Sequence, residues 1–465
     1  MNNDTIFALS SGFGKSGVAV IRISGDDLRD FATNIIFPHL GGADRAAVGG
    51  VKPRHAYFCN LTDDNGDLID QCIMIYFAAP ASFTGTDVIE IHTHGAPAVI
   101  NKIFEFLSHN DMRMATRGEF SRRAFLNNKM DLADIDGLAA LLDAQTDKQR
   151  QFALKSMLGG DSQKYNDWRN QMIEIAAYAA AILDYDADEL PQNIGEKILI
   201  KTKELYNQIK ESLSRYNISR AITHGFNIVL CGETNVGKSS IFNRLVGANR
   251  AIVSSTAGTT RDVISAQIDI DGYLVNLCDT AGLRETDDEI EKIGIDRTRT
   301  ETENADLVLH IYANDSAPVG RMVTAGDGGG YSAPVGRGTN EVGGGGNEII
   351  VINKADTFTT RKNKNAIYTS AETGDGIDTL LSAIREKMHK LLDNTENNLV
   401  INARTHKLLN DTQYELENAI QKFDGNYDIF AEHVRAAGDN IGKILGAITA
   451  ADVMDATFSQ LCLGK

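Results

Sequence analysis

Apolar and polar positions follow three different rhythms along the 465 residues. In residues 1 to about 115, short apolar runs at Gly17 to Ser24, Cys72 to Phe77 and Val88 to His92 predict strands, and Ala96 to Ser108 predicts one helix. That mixture predicts a compact α+β domain. From Glu119 to about Arg220, breakers thin out and apolar residues recur three and four apart. Ile135, Leu138, Leu141 and Leu142, then Met172, Ile175, Ala179 and Ile182, predict a helical region. From about Gly225 to Met388 the rhythm turns to short apolar strands between loops and helices. The runs beginning at Phe226, Tyr273, Ala305 and Glu348 predict a mainly parallel sheet. Asn402 to Lys465 reads as helix again. The simplest arrangement is an α/β domain inserted into a helical one, whose two parts pack together across the insertion. The expected domains are therefore 1–118, 119–222, 223–388 and 389–465.

Composition adds limits. With 42% apolar and 23% charged residues the chain is ordinary globular protein, and its length predicts several domains. Five cysteines, Cys59, Cys72, Cys231, Cys278 and Cys462, contain no C-x-x-C pair. Neither a disulfide framework nor a zinc site is expected, and a reducing cytoplasm fits best. The first residues lack the basic and apolar regions of a signal peptide, and no long apolar stretch predicts a membrane span. A net charge of -17 disfavours non-specific attraction to a polyanion, so any nucleic-acid contact is expected to be local or supplied by a partner. Between Asn314 and Asn347 lies a glycine-rich segment in which Ser-Ala-Pro-Val-Gly-Arg occurs twice, read as a disordered surface insertion.

The candidate chemistry lies in the α/β region. Gly232 to Ser239 reads G-E-T-N-V-G-K-S after a predicted strand and before a predicted helix at Ser240 to Leu245, the context of a phosphate loop. Its backbone N–H groups would cradle the β-phosphate, Lys238 would neutralise the β- and γ-phosphates, and the Ser239 hydroxyl would bind magnesium. Asp279-Thr280-Ala281-Gly282 follows another strand. Asp279 is expected to hold magnesium through water, and the Gly282 N–H to sense the γ-phosphate. Asn353-Lys354-Ala355-Asp356 ends a further strand, and Asp356 can accept both N1–H and N2–H of guanine, a donor pair that adenine lacks. Thr369-Ser370-Ala371 is a weaker candidate for a backbone contact to guanine O6. Together these predict a GTP-binding, GTP-hydrolysing domain.

Two questions remain at the level of residues. Ras-like GTPases place a water-orienting glutamine directly after the D-x-x-G glycine, where this chain has Leu283. The replacement lies among Arg284, Glu285, Asp287, Asp288, Glu289 and Glu291, and the sequence does not choose between them. The stretch Ser254 to Asp262, rich in hydroxyls and glycine, reads as a switch loop, one of whose threonines closes on magnesium.

The motifs G-E-T-N-V-G-K-S-S, A-G-T-T-R-D, D-T-A-G-L-R-E and N-K-A-D closely resemble the MnmE (TrmE) family of tRNA-modifying GTPases. So do V-A-V-I-R-I-S-G and S-F-T-G-x-D-V-I-E near the start, G-E-F-S-R-R-A-F-L-N-N-K-M-D-L at Gly118 to Leu132, and the closing C-L-G-K. The resemblance spans nearly the whole chain. It implies an N-terminal domain that dimerises and binds 5-formyltetrahydrofolate or a related tetrahydrofolate, a split all-helical domain, and an inserted Ras-like P-loop GTPase domain. The implied activity, with the flavin-dependent partner MnmG (GidA) in a heterotetramer or larger complex, places an aminomethyl or carboxymethylaminomethyl group on C5 of the wobble uridine of certain tRNAs.

The resemblance also assigns roles. Asn235 would bind potassium with backbone oxygens of Ser254, Thr256 and Thr259, Thr260 would be the switch-loop magnesium ligand, and Glu291 would orient the attacking water. The GTP site would comprise Asn235, Val236, Gly237, Lys238, Ser239 and Ser240, Ser254 with Ser255, Thr256, Ala257, Gly258, Thr259 and Thr260, and the three later motifs. Folate would be held by Arg22, Glu90, Lys129 and Lys465, and Cys462 is a possible reactive thiol. The chain departs from the family in its glycine-rich insertion, in S-S-G-F-G-K-S-G and in H-T-H-G-A. The main rival is a regulatory GTPase of ribosome assembly, although such proteins usually append a basic RNA-binding domain. A third reading keeps the GTPase as a structural timer with an unused folate site.

Overall fold

The computed structural model describes residues 4–37, 50–184, 193–252, 264–279, 305–313, 347–357, 363–392, 399–423 and 426–446. The chain forms two compact units: residues 1–139, 157–203 and 411–465, and residues 140–156 and 204–410. No helix among the described residues is long and apolar enough to cross a membrane.

The first unit carries a six-stranded sheet. Its strands are β1 (Ile6–Leu9), β2 (Ser16–Gly25), β3 (Ala56–Thr62), β4 (Leu68–Phe77), β5 (Asp87–Gly95) and β6 (Arg113–Met114), in the order β3-β4-β5-β2-β1-β6. All neighbours are antiparallel except β1 and β6. Period-two alternation sends Ile21, Ile23, Leu61, Met74, Ile89 and Ile91 into one core beneath the helices Arg29–Ile36 and Pro97–His109. The three strands and the helix expected here are present with ends shifted by a few residues. Strands β1, β3 and β6 and the helix Arg29–Ile36 add to them. In β3 the large Phe58 faces solvent while Cys59 and Leu61 face the core, which blurs its alternation.

Farther along the same unit, Gly160–Asp184 packs on Tyr427–Leu445. Trp168, Met172, Ile175 and Ala179 are buried at helical spacing, as are Phe430, Val434, Ala437 and Ile441. A side chain at Gly438 would lie 3.8 Å from Met172 Cβ, so the helices approach closely there.

A charged cluster fastens the start of the chain to the helix Glu119–Leu126. Arg113 donates to Glu119 at 2.8 Å and also pairs with Asp4, which Arg123 reaches at 2.9 Å. Burial pushes the Glu119 carboxyl up, but Arg113 and the Thr116 N–H outweigh it and bring it down to about 2. A depressed carboxylate contributes stability above its unfolded pKa of about 4.3 and loses it as pH falls toward the folded value. Glu119→Gln should therefore destabilise the unit at pH 7 and progressively less from about pH 5 to pH 3. Urea unfolding across that range checks this, and a gap that does not narrow contradicts it.

The second unit holds a seven-stranded sheet. Its strands are β7 (Phe226–Cys231), β8 (Arg250–Ile252), β9 (Ile264–Ile270), β10 (Tyr273–Asp279), β11 (Leu307–Tyr312), β12 (Glu348–Ile352) and β13 (Ile367–Tyr368), ordered β13-β12-β11-β7-β10-β9-β8. From β13 to β10 all neighbours are parallel, and β9 and β8 are antiparallel additions. The central strands are apolar on both faces, as in Ile228-Val229-Leu230, because helices cover a parallel sheet on two sides. Ile241, Phe242 and Leu245 of Lys238–Ala248 and Leu380, Leu381 and Ile384 of Ile377–Leu392 fill that core. The mainly parallel sheet expected here is present, with β8, β9 and the two-residue β13 added. The glycine-rich segment at 314–346 lies outside the described residues.

Candidate functional site

Phosphate-loop, base-recognition and metal-binding candidates meet at the carboxyl ends of β7, β10, β12 and β13, where a parallel α/β sheet places ligands. The strand β7 runs into Gly232, and the helix Lys238–Ala248 begins directly after Gly237. The turn between them needs left-handed backbone. Gly237 has φ 94°, and a Cβ there would stand 2.2 Å from Asn353 Nδ2; a Cβ at Gly232 would stand 2.2 Å from the Ile311 carbonyl oxygen. Only glycine allows this close approach without displacing a neighbour. Asn235, at φ 63°, is the non-glycine residue type most tolerant of that conformation.

The Lys238 side chain is buried, and its Nζ donates to the carbonyl oxygens of Gly232 at 2.9 Å and Glu233 at 2.7 Å. The ammonium thus sits under the rim of the loop, where phosphate oxygens can replace those carbonyls. Ser239 Oγ donates to Asp279 Oδ2 at 2.5 Å. A hydroxyl and a fully buried carboxylate therefore converge from β10 and the helix N-terminus, an oxygen donor set suited to magnesium.

Asn353 ties the loop to the base-recognition segment. Its Nδ2 donates to the Val236 carbonyl oxygen at 2.9 Å, and its Oδ1 accepts the Ala371 N–H at 3.1 Å. Lys354 Nζ donates to the Asn235 carbonyl oxygen at 2.9 Å, so its stem lies along the loop. Asp356 stands exposed on the single turn Ala355–Thr357. Ser370 is buried, and its N–H donates to the Asp375 carbonyl oxygen at 2.8 Å within a tight loop. Sequence reasoning missed Arg244. Its Nε donates to the Ala371 carbonyl oxygen at 2.8 Å and its Nη2 to that of Glu372 at 2.6 Å, which anchors the loop after β13 on the helix that follows the phosphate loop. Its seven-residue spacing from Gly237, about two helical turns, was the available signal.

Ser254, Ser255, Thr256, Ala257, Gly258, Thr259, Thr260, Thr280, Ala281, Gly282 and Glu291 lie outside the described residues, as do Cys462 and Lys465.

The folate candidates fall in the first unit. Arg22 and Glu90 are register partners across β2 and β5, and Arg22 Nε and Nη2 both donate to Glu90 Oε1, at 3.0 and 2.8 Å. The guanidinium carbon lies 5.4 Å from the Phe83 ring centre and 5.9 Å from that of Phe120. Lys129 Nζ donates to the Pro80 carbonyl oxygen at 3.0 Å, at the loop that carries Phe83. The Arg22–Glu90 pair beside the partly exposed Phe83 ring is a setting in which a flat, hydrogen-bonding heterocycle can pair and stack, while the fully buried Phe120 packs beside the guanidinium.

Residues 5–129 match the family model for the GTP-binding protein TrmE N-terminus, and residues 132–462 that for the MnmE helical domain. Relatives named tRNA modification GTPase MnmE align end to end. The one from Agrobacterium fabrum is 36% identical, covering 99% of both chains. That from Bradyrhizobium sp. is 35% identical over 100% of this chain and 99% of the relative, and that from Brucella ovis 36% over 100% and 98%. Among solved structures, the G domain of the Thermotoga maritima FeoB iron transporter is 21% identical over 36% of this chain and 98% of that one, with a TM-score of 0.23, too slight a likeness to support an inference. With both family models matched and relatives aligned over their full length, the chain belongs to the MnmE family of tRNA modification GTPases.

Proposed function

We propose that this chain binds and hydrolyses GTP as the moving component of a system that modifies the wobble uridine of certain tRNAs. The observation that carries the reading is the meeting of Lys238 and Ser239, at the start of the helix after β7, with Asp279 at the end of β10 and Asn353 just after β12, around one phosphate loop. Family membership supports the tRNA context. In this reading Lys238 neutralises the β- and γ-phosphates and Asp356 accepts two guanine hydrogen bonds. Ser239 and Thr260 hold magnesium, with Asp279 acting through water. Asn235, with backbone oxygens of Ser254, Thr256 and Thr259, holds potassium, which supplies positive charge beside the phosphates as charge develops on the leaving oxygen. Glu291 orients the attacking water in place of the glutamine that Leu283 replaces. Arg22, Glu90, Lys129 and Lys465 hold a tetrahydrofolate. A homodimer then works in the cytoplasm with the flavin-dependent partner MnmG (GidA), in a heterotetramer or larger complex. Together they add an aminomethyl or carboxymethylaminomethyl group to the uridine C5.

The cation role has a direct test. GTP turnover should run at least about tenfold faster in potassium chloride than in sodium chloride of equal ionic strength. Glu291→Ala should lose about 100-fold or more of that turnover while nucleotide affinity is kept. Equal rates in the two salts contradict the potassium site, and an unchanged rate in the variant contradicts the water-orienting role.

A further inference from the structure

We propose that Cys59 and Cys72 form an oxidative modification site in the N-terminal sheet, a thiol pair that a hydroperoxide converts into a cross-strand disulfide. The two residues are direct partners across the antiparallel pair β3 and β4, and their Sγ atoms lie 3.7 Å apart. Directly opposed residues have Cα atoms about 4.5–5.5 Å apart, within the span of about 4.4–6.8 Å that a disulfide bridges. Side-chain rotation alone therefore brings the sulfurs together. Both side chains are buried, at 6% and 2% exposure, in the core that contains Leu61 and Met74. That enclosure keeps bulky external thiols away and leaves each sulfur facing the other.

The pair is also unequal. Their mutual hydrogen bond, then burial, pushes the Cys72 thiol up, while the same hydrogen bond lowers that of Cys59. Cys59 lies on β3, the outermost strand of the sheet order among the described residues, and outer strands open locally more readily than central ones. A small neutral peroxide reaches it through such openings.

The chemistry balances within the pair. The Cys59 thiolate attacks a peroxide oxygen, the O–O bond breaks, and hydroxide leaves to take up the proton that Cys59 released. Cys72 Sγ then attacks the sulfur of the resulting Cys59 sulfenic acid. Its proton and the displaced hydroxide depart as water. Two thiols are oxidised, and one hydrogen peroxide is reduced to two waters.

The full-length chain is treated with a few-fold excess of hydrogen peroxide, alkylated in denaturant and mapped by peptide mass. We expect Cys59 and Cys72 to be joined to each other, to resist alkylation, and to be restored by dithiothreitol once the chain is unfolded in denaturant. The oxidised protein should unfold about 5 °C higher, because the bridge restrains the unfolded hairpin. Cys72→Ser should stop at a Cys59 sulfenic acid that dimedone traps, with no rise in the midpoint. If that variant fails to fold, the peptide map of the unaltered protein decides alone. Full alkylation of both residues after peroxide overturns the proposal, and so does a bridge from either one to another cysteine or to a second copy of the chain.

Discussion

Asp356→Asn should turn a guanine-selective protein into one that prefers xanthine nucleotides. In the reading above, the carboxylate accepts from N1–H and N2–H of guanine, and each hydrogen bond to a charged group contributes about 1.5–3 kcal/mol. The amide replaces one acceptor oxygen with an NH2 donor that faces the guanine amino group, so one bond is lost and two donors meet. GTP affinity should fall by about 10²- to 10⁴-fold. Xanthine has a carbonyl where guanine has that amino group, so the same amide donates to it while still accepting from N1–H, and XTP should bind most of that factor more tightly than GTP. Asp356 is exposed on its turn, so the substitution disturbs no packing. Competition binding with GTP, ITP, XTP and ATP measures the effect. Undiminished GTP affinity would remove Asp356 from base recognition.

Lys238→Ala is expected to slow turnover sharply by another route. The ammonium lies under the loop within 2.7 to 2.9 Å of two of its carbonyl oxygens, and in the proposed function it bridges phosphate oxygens from there. Losing a buried, preorganised cation at developing negative charge costs roughly 3–4 kcal/mol, which corresponds to about 10²- to 10³-fold in rate. The helix core beneath it, Ile241, Phe242 and Leu245, is untouched, so the circular dichroism spectrum should be preserved. Single-turnover hydrolysis within threefold of the unaltered protein would refute the role.

These predictions show where local sequence was sufficient. The phosphate loop and N-K-A-D were legible because their chemistry is held within a few consecutive residues between a strand and a helix. Their mutual geometry was not. Asn353 reaches Val236 and Ala371, and Arg244 reaches Ala371 and Glu372, across long sequence separations that no spacing rule encodes. Strand β9 carried a usable signal, Ile264, Ala266, Ile268 and Ile270 alternating with Ser265, Gln267 and Asp269, but it is weaker than the continuous apolar runs of the buried parallel strands. The cysteine spacing matches no thiol motif, so the sequence carries no sign of a pair. Hairpin register, which depends on the turn between β3 and β4, brings Cys59 and Cys72 side by side. The Arg22 and Glu90 pairing likewise depends on the register of β2 against β5.

In the proposed function, GTP turnover at this site serves wobble-uridine modification. Nucleoside analysis of tRNA from cells deleted for this gene, and from the same cells carrying either the unaltered gene or Lys238→Ala, tests that link. The aminomethyl-type C5 substituents should disappear in the deletion, return with the unaltered gene and stay absent with Lys238→Ala. Wobble uridines unchanged by the deletion would contradict it.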